Sequence, residues 1–142
     1  MDVYAPAWKT LEYMMFGDVL SLAKNLTDGT LQQELALHYG LRNKEVFWNW
    51  MNTVRVLRNL CAHGHNLYDM RLQKSIKGGP LSGQMTLEMH HDLRGALLIV
   101  FHLLHHISDT RKAELQDKMR ELLHKPEAVA VNNALGYLND IL

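Results

Sequence analysis

The chain has 142 residues, of which 47% are hydrophobic and 21% are charged, a composition typical of a globular domain and not of a disordered chain. Its formal net charge is zero, which argues against a protein that coats polyanions in general but leaves room for a local basic site. The single cysteine, Cys61, excludes a framework of disulfides, and without an apolar signal-peptide run we expect a cytoplasmic protein.

The first third of the chain predicts two helical regions. Pro6 can begin a helix, and apolar residues then recur at helical spacing as far as Leu26, with a break expected at Phe16-Gly17-Asp18. Asp28-Gly29 indicates a turn, after which Thr30 and Gln33 predict a capping box for a short helix that Gly40 ends.

The most strongly patterned helix is expected from a cap at Asn43 to about Ala62, ending at Gly64. At 100° per residue one arc of this helix collects an apolar set that should be buried: Val46, Phe47, Trp50, Met51, Val54, Leu57 and Cys61. Arg58 falls within the same arc. Because a guanidinium is costly to bury, we expect a carboxylate, a helix end, a second subunit or a phosphate to meet it.

The second half of the chain predicts a long loop and further helices. Residues 64–85 lose helical periodicity, with an extended piece expected at 70–76, and a loop of this length is typical of a functional segment. Thr86 is expected to cap a helix over 87–107 whose core face is Leu87, Leu93, Leu97, Val100, Phe101 and Leu104. Ser108 and Asp109 then cap a helix to about His124, and residues 128–142 are weakly helical with a break near Asn132-Asn133. We therefore predict an all-α fold, a single domain over 1–142 built as a bundle of about five helices.

A positive segment surrounds the end of the predicted third helix. Between Val46 and Leu87 the only acidic residue is Asp69, against five basic residues: Arg55, Arg58, Arg71, Lys74 and Lys77. His63 and His65 lie in the same segment. Such asymmetry in a neutral chain is expected where a phosphate backbone binds, and a solvated surface with incidental lysines is the alternative.

Arg58, Asn59 and His63 together suit chemistry on a phosphodiester. An arginine can hold a phosphate through two donors, and a histidine can move protons near neutral pH. RNA carries its own nucleophile in the 2′-hydroxyl, so neither a metal nor another cofactor is expected. The alternative is structural, with Arg58 in an ion pair and His63 capping a helix C-terminus.

Histidines of the predicted long helix offer a third hypothesis, a metal-binding bundle. His102 lies four residues before His106 and eleven after His91, which would place all three on one helix face. No HExxH motif and no cysteine ligand accompanies them, so surface or capping histidines are the simpler interpretation.

The stretch Arg58-Asn59-Leu60-Cys61-Ala62-His63 resembles the R-x4-6-H signature of the HEPN superfamily, which favours a polar residue after the arginine. Three blocks extend the resemblance to the Abi-like, AbiD/AbiF-type abortive-infection proteins. Pro6 to Ser21 is similar to their "PxWxxxExxSFGxLS" block, Leu57 to His63 to "LRNxCAH", and Ala134 to Tyr137 to the terminal "MGFP". The continuation departs from the family's "AHHxRLWN", since the chain reads Ala62-His63-Gly64-His65-Asn66.

The resemblance implies a HEPN-like bundle that dimerises so that two motifs face each other, with the present chain as the C-terminal part of a longer protein. It implies a metal-independent ribonuclease of bacterial phage defence, in which Arg58, Asn59 and His63 are catalytic. RNA contacts are then expected from Arg55, His65, Arg71, Lys74 and Lys77, and an antitoxin or regulatory protein is an expected partner. Many HEPN domains are instead inactive modules that bind RNA or protein, which is the alternative function.

Overall fold

The computed structural model describes residue 9 and residues 14–26, 28–125 and 136–142. Within them the chain forms five α-helices and no strand: α1 (Phe16–Lys24), α2 (Gly29–His38), α3 (Lys44–Ala62), α4 (Leu93–Ile107) and α5 (Asp109–Leu123). Single 3-10 turns lie at Gly79–Leu81, Glu88–His90 and Gly136–Asp140. The predicted all-α bundle of about five helices is thus confirmed. The predicted helix start at Pro6 and the break at Asn132-Asn133 lie outside the described residues.

Most helix ends follow from local capping. Asn43 accepts a hydrogen bond from the Glu45 N–H at 2.7 Å, and Ser108 caps α5 through the Arg111 N–H, as predicted. The cap of α2 is different. Asp28 accepts from the N–H groups of Thr30 and Leu31, so α2 begins at Gly29 and the predicted capping box at Thr30 is wrong. An aspartate two residues before Thr30 supplies the acceptor first, and these bonds lower the pKa of its carboxyl.

The predicted helix over 87–107 is also wrong in its first turn and a half. Leu87 is 89% exposed, residues 88–90 form a 3-10 turn, and α4 begins only after Asp92, whose carboxylate accepts from the Gly95 N–H at 3.2 Å. Gly95 lies so close to the Met89 carbonyl that an added Cβ would stand 1.8 Å from its oxygen. The chain therefore turns sharply before α4 instead of continuing as one helix.

The core of the described residues lies where α4 packs between α3 and α5, with α1 and α2 against α3. From α3 it receives Phe47, Trp50, Thr53 and Leu57, and from α4 chiefly Leu93, Ala96, Leu97, Ile99, Phe101 and Leu103. Val100 and Leu104, expected in the core face, are only half-buried. No helix of the described part is long and apolar enough to cross a membrane.

The long connection between α3 and α4 is anchored rather than free. Met70, Leu72, Ile76 and Leu81 are buried in the core. The Leu72 N–H donates to the His91 carbonyl and the Ile76 N–H to the His90 carbonyl, both at 2.8 Å. The extended piece expected at 70–76 therefore forms two backbone hydrogen bonds but no strand within the described residues. The backbone of this connection is therefore tied to the core at several points along its length.

Candidate functional site

The C-terminus of α3 ends in a Schellman motif that positions the predicted histidines. The Gly64 N–H donates to the Cys61 carbonyl at 3.1 Å, and the His65 N–H donates to the Leu60 carbonyl at 2.9 Å. This pairing requires a left-handed residue after the cap, and Gly64 has φ 65°. His63 is the cap residue itself. The motif places His63 and His65 on either side of the glycine, with ring centroids 6.3 Å apart and both side chains exposed.

Asn59 links the two ends of the sequence motif. Its side-chain oxygen accepts from Arg58 Nη1 at 3.2 Å, and its backbone carbonyl accepts from the His63 N–H at 3.0 Å. Arg58, Asn59 and His63 therefore all lie on the last turn and a half of α3, where the bond between Asn59 and His63 is a backbone bond of the helix end. Within the described part of the chain neither Arg58 nor His63 pairs with a carboxylate, which leaves a cation and a titratable ring available to a ligand.

The expectation that Arg58 lies in a buried arc is wrong for the folded chain. Arg58 and Cys61 are both exposed, although Phe47, Trp50 and Leu57 of the same predicted arc are buried. The helical wheel gives the direction of each side chain but not how far the neighbouring elements extend. In the described structure the last turn of α3 is only partly covered, since Leu60 is half-buried whereas Arg58 and Cys61 are exposed.

Arg55 lies one helical turn before Arg58 and is held by a neighbouring side chain. Its Nε and Nη2 both donate to Asn52 Oδ1, at 3.3 and 2.9 Å, and the half-buried side chain lines a cleft of about 290 Å³ between α1 and α3. Lys24 and Ser21 of α1 line the same cleft. Arg55 is thus held by Asn52 beside the cleft toward α1, one helical turn before Arg58.

The basic residues of the long connection are spread over its length. Lys77 pairs with Glu45 at 2.9 Å, and this ammonium lowers the pKa of the Glu45 carboxyl. Lys74 is exposed, and Arg71 lies at the rim of a cavity of about 380 Å³. Of the five expected RNA contacts, Arg71, Lys74 and His65 therefore present side chains without an ion-pair partner among the described residues.

Three residues hold this connection in place, a role that the sequence indicated for none of them. Asn49 Nδ2 donates to the Ser75 carbonyl at 3.0 Å, and its Oδ1 accepts from the Lys77 N–H at 2.8 Å. The fully buried Trp50 donates its indole N–H to the Lys77 carbonyl at 2.6 Å. His90 bonds through Nδ1 to the Ile76 carbonyl. These partners are 14 to 28 residues apart in sequence, so no local pattern points to them.

The histidines of the proposed metal face have other roles. His91 lies outside α4, and its Nδ1 bonds to the Leu72 carbonyl, so the expectation that it shares a helix face with His102 is wrong. His102 Nε2 bonds to the Tyr39 carbonyl at 3.0 Å, and burial lowers the pKa of its ring. Among the described residues no group of three or more His, Cys, Asp or Glu is arranged to hold a metal ion.

The comparisons with known proteins point to one family. Residues 1–69 match the family model described as Abi-like protein. The matched segment includes α1, α2, α3 and the Schellman turn, and so contains Arg58, Asn59 and His63. No curated protein and no solved structure matches the chain.

Proposed function

We propose that this Abi-like protein serves bacterial abortive-infection defence as a metal-independent endoribonuclease, with its active site at the C-terminus of α3. The family match supports the biological setting. One observation supports the chemistry: Arg58 and His63 are both exposed at the end of α3 and free of carboxylate partners in the described part of the chain.

The proposed reaction needs only groups of the protein and of RNA. The 2′-oxygen forms a bond to the adjacent phosphorus, the bond from phosphorus to the 5′-oxygen breaks, and a 2′,3′-cyclic phosphate remains. One proton leaves the 2′-hydroxyl and one reaches the departing 5′-oxygen, and His63 carries one of these transfers. Arg58 holds the non-bridging oxygens through its planar fork and stabilises the charge that develops on them. Asn59 orients Arg58 by the bond it already makes.

We further propose a homodimer through the end of α3. The last turn exposes Cys61 and the half-buried Leu60 beside Arg58, where a monomer leaves an apolar pattern uncovered. Two copies that meet there would bring two His63 rings to one phosphate, so that one removes a proton while the other delivers one. A strictly monomeric mass by light scattering at micromolar concentration would overturn this proposal.

The direct test is incubation of the pure protein with end-labelled RNA in excess EDTA, followed by analysis of the new 3′ ends. We expect cleavage with cyclic-phosphate ends. Arg58→Ala and Arg58→Lys should both lose activity, because an ammonium lacks the two-donor fork, while both stay folded since the side chain is exposed. RNA that is bound and never cut would instead assign the chain to the non-catalytic binding modules.

A further inference from the structure

The cavity of about 380 Å³ beyond the Schellman turn is built from the segment that follows His65 and from the approach to α4. Tyr68, Asp69 and Arg71 line one wall, and Glu88, Asp92 and Arg94 line the other. Its floor is the buried Met70. The cavity is open and large enough for a planar aromatic ligand.

The charges of the second wall are already satisfied. Arg94 Nη2 contacts Asp92 at 2.7 Å and Glu88 at 3.3 Å, and these carboxylates raise the pKa of the guanidinium. Asp92 also accepts from the Gly95 N–H. This group is a structural network that fixes the start of α4.

The first wall is different, because its charged groups have no partners. The Asp69 carboxylate and the Arg71 guanidinium line the same cavity, both are exposed, and neither bonds another side chain within the described ranges. Tyr68, which directly precedes Asp69 in the chain, is 48% exposed. Its backbone N–H donates to Asn66 Oδ1 at 2.9 Å, which fixes the turn, and Asp69 takes the left-handed conformation with φ 68°. An aromatic ring, a two-acceptor group and a two-donor fork thus surround one open space.

We infer that this cavity is a guanine-binding subsite. Guanine presents two parallel acceptors, O6 and N7, which suit the fork of Arg71, and two parallel donors, N1–H and the N2 amino group, which suit the Asp69 carboxylate. Adenine lacks the acceptor pair, and cytosine and uracil lack the donor pair. The Tyr68 ring offers a face on which the base stacks, as aromatic side chains do for unpaired RNA bases.

The residues of the first wall follow the proposed active site closely in the chain. Tyr68 is the fifth residue after His63, so their Cα atoms lie at most about 18 Å apart. A single strand whose phosphate lies at Arg58 and His63 can therefore place a nearby base in the cavity. This inference rests on the proposed function, because the subsite would give the ribonuclease a preference for RNA with guanine close to the cleaved bond.

Base binding can be measured without cleavage. The probes are fluorescent 2′-O-methyl tetranucleotides of uridine in which one position is guanine, adenine, cytosine or uracil, because methylation blocks attack by the 2′-oxygen. We expect the guanine probe to bind the parent protein about tenfold more tightly than the others by anisotropy. Asp69→Asn should abolish this preference while the chain stays folded, because asparagine tolerates the left-handed conformation. Glu34→Gln, an exposed acid on α2, is the matched control and should keep it.

Two results separate this inference from the proposed function. Equal binding of the four probes, or an unchanged guanine preference in Asp69→Asn, overturns the subsite even if unmodified RNA is cut in EDTA. A guanine preference that Asp69→Asn removes supports the subsite even if no RNA is cut, in which case the ribonuclease proposal fails alone. Tyr68→Ala should weaken all four probes, whereas Tyr68→Phe should bind them as the parent does, because stacking needs the ring and not the hydroxyl.

Discussion

Replacing Asn49 by alanine should loosen the connection between α3 and α4. The side chain makes two hydrogen bonds to that connection, to the Ser75 carbonyl at 3.0 Å and from the Lys77 N–H at 2.8 Å. A net contribution of about 0.5–1.5 kcal/mol for each predicts a loss of about 1–3 kcal/mol in the free energy of unfolding. The lower half of that range is expected, because both backbone groups lie near the surface and can bond water once the side chain is removed.

Thermal unfolding followed by circular dichroism measures this loss. For a chain of this length each kcal/mol lowers the melting temperature by about 2–4 °C. Asn49→Asp should fall between parent and alanine, since its carboxylate still accepts from the Lys77 N–H but cannot donate to Ser75. Asn139→Ala, at an exposed position of the final 3-10 turn, is the control and should melt with the parent. If Asn49→Ala also melts with the parent, Asn49 does not hold the connection and its fixed geometry needs another explanation.

Three further perturbations test other parts of the account. Gly95→Ala should lose about 3 kcal/mol or more in urea unfolding, because its Cβ would stand 1.8 Å from the Met89 oxygen, whereas Gly83→Ala, with nothing within 4 Å, should not. Burial lowers the pKa of His102 in the folded state, so its contribution to stability is present above its ordinary value of 6.5 and is lost as pH falls below that value. The free energy of unfolding should therefore fall below pH 6.5 by at most about 1.4 kcal/mol per pH unit from this group, and His102→Gln should show a shallower fall; equal slopes would contradict the assignment. Changing Arg71, Lys74 and Lys77 together to glutamine should weaken RNA binding and flatten the dependence of the affinity on salt concentration. If the affinity and its salt dependence stay as in the parent, these residues are only solvated surface.

The sequence predicted best what local chemistry decides. Asn43 and Ser108 cap the helices expected of them, and Gly40 and Gly64 adopt the positive φ that ends a helix. Before α4 the sequence offers two possible N-cap residues, Thr86 and Asp92. Thr86 precedes a helical apolar pattern, but Asp92 supplies the cap that forms, and the close approach of Gly95 to Met89 is a contact that periodicity does not register.

The placement of residues 58–63 at one end of a helix was also predictable, because neighbouring residues determine it. Residues 58–63 are close in sequence, so a helix and its C-cap bring them together whatever the rest of the fold does. The exposure of Arg58 depends instead on where the packing partners of α3 end, which a helical wheel cannot give. The cavity beside Arg71 depends on hydrogen bonds between residues 72–76 and 90–91, and these are contacts across the fold. The bond between Arg55 and Asn52 and the cleft toward α1 are likewise features that the sequence pattern did not indicate.

The most direct measurement is the rate at which His63→Ala cleaves single-stranded RNA in EDTA, relative to the parent protein. His63 is an exposed cap residue, and the hydrogen bond that its backbone N–H donates to Asn59 does not need the ring, so the variant should have the same circular dichroism spectrum and a similar melting temperature. Loss of one acid–base group predicts a rate lower by about 10²–10⁴. Cleavage by folded His63→Ala at the parent rate would contradict the assignment of the active site to the C-terminus of α3.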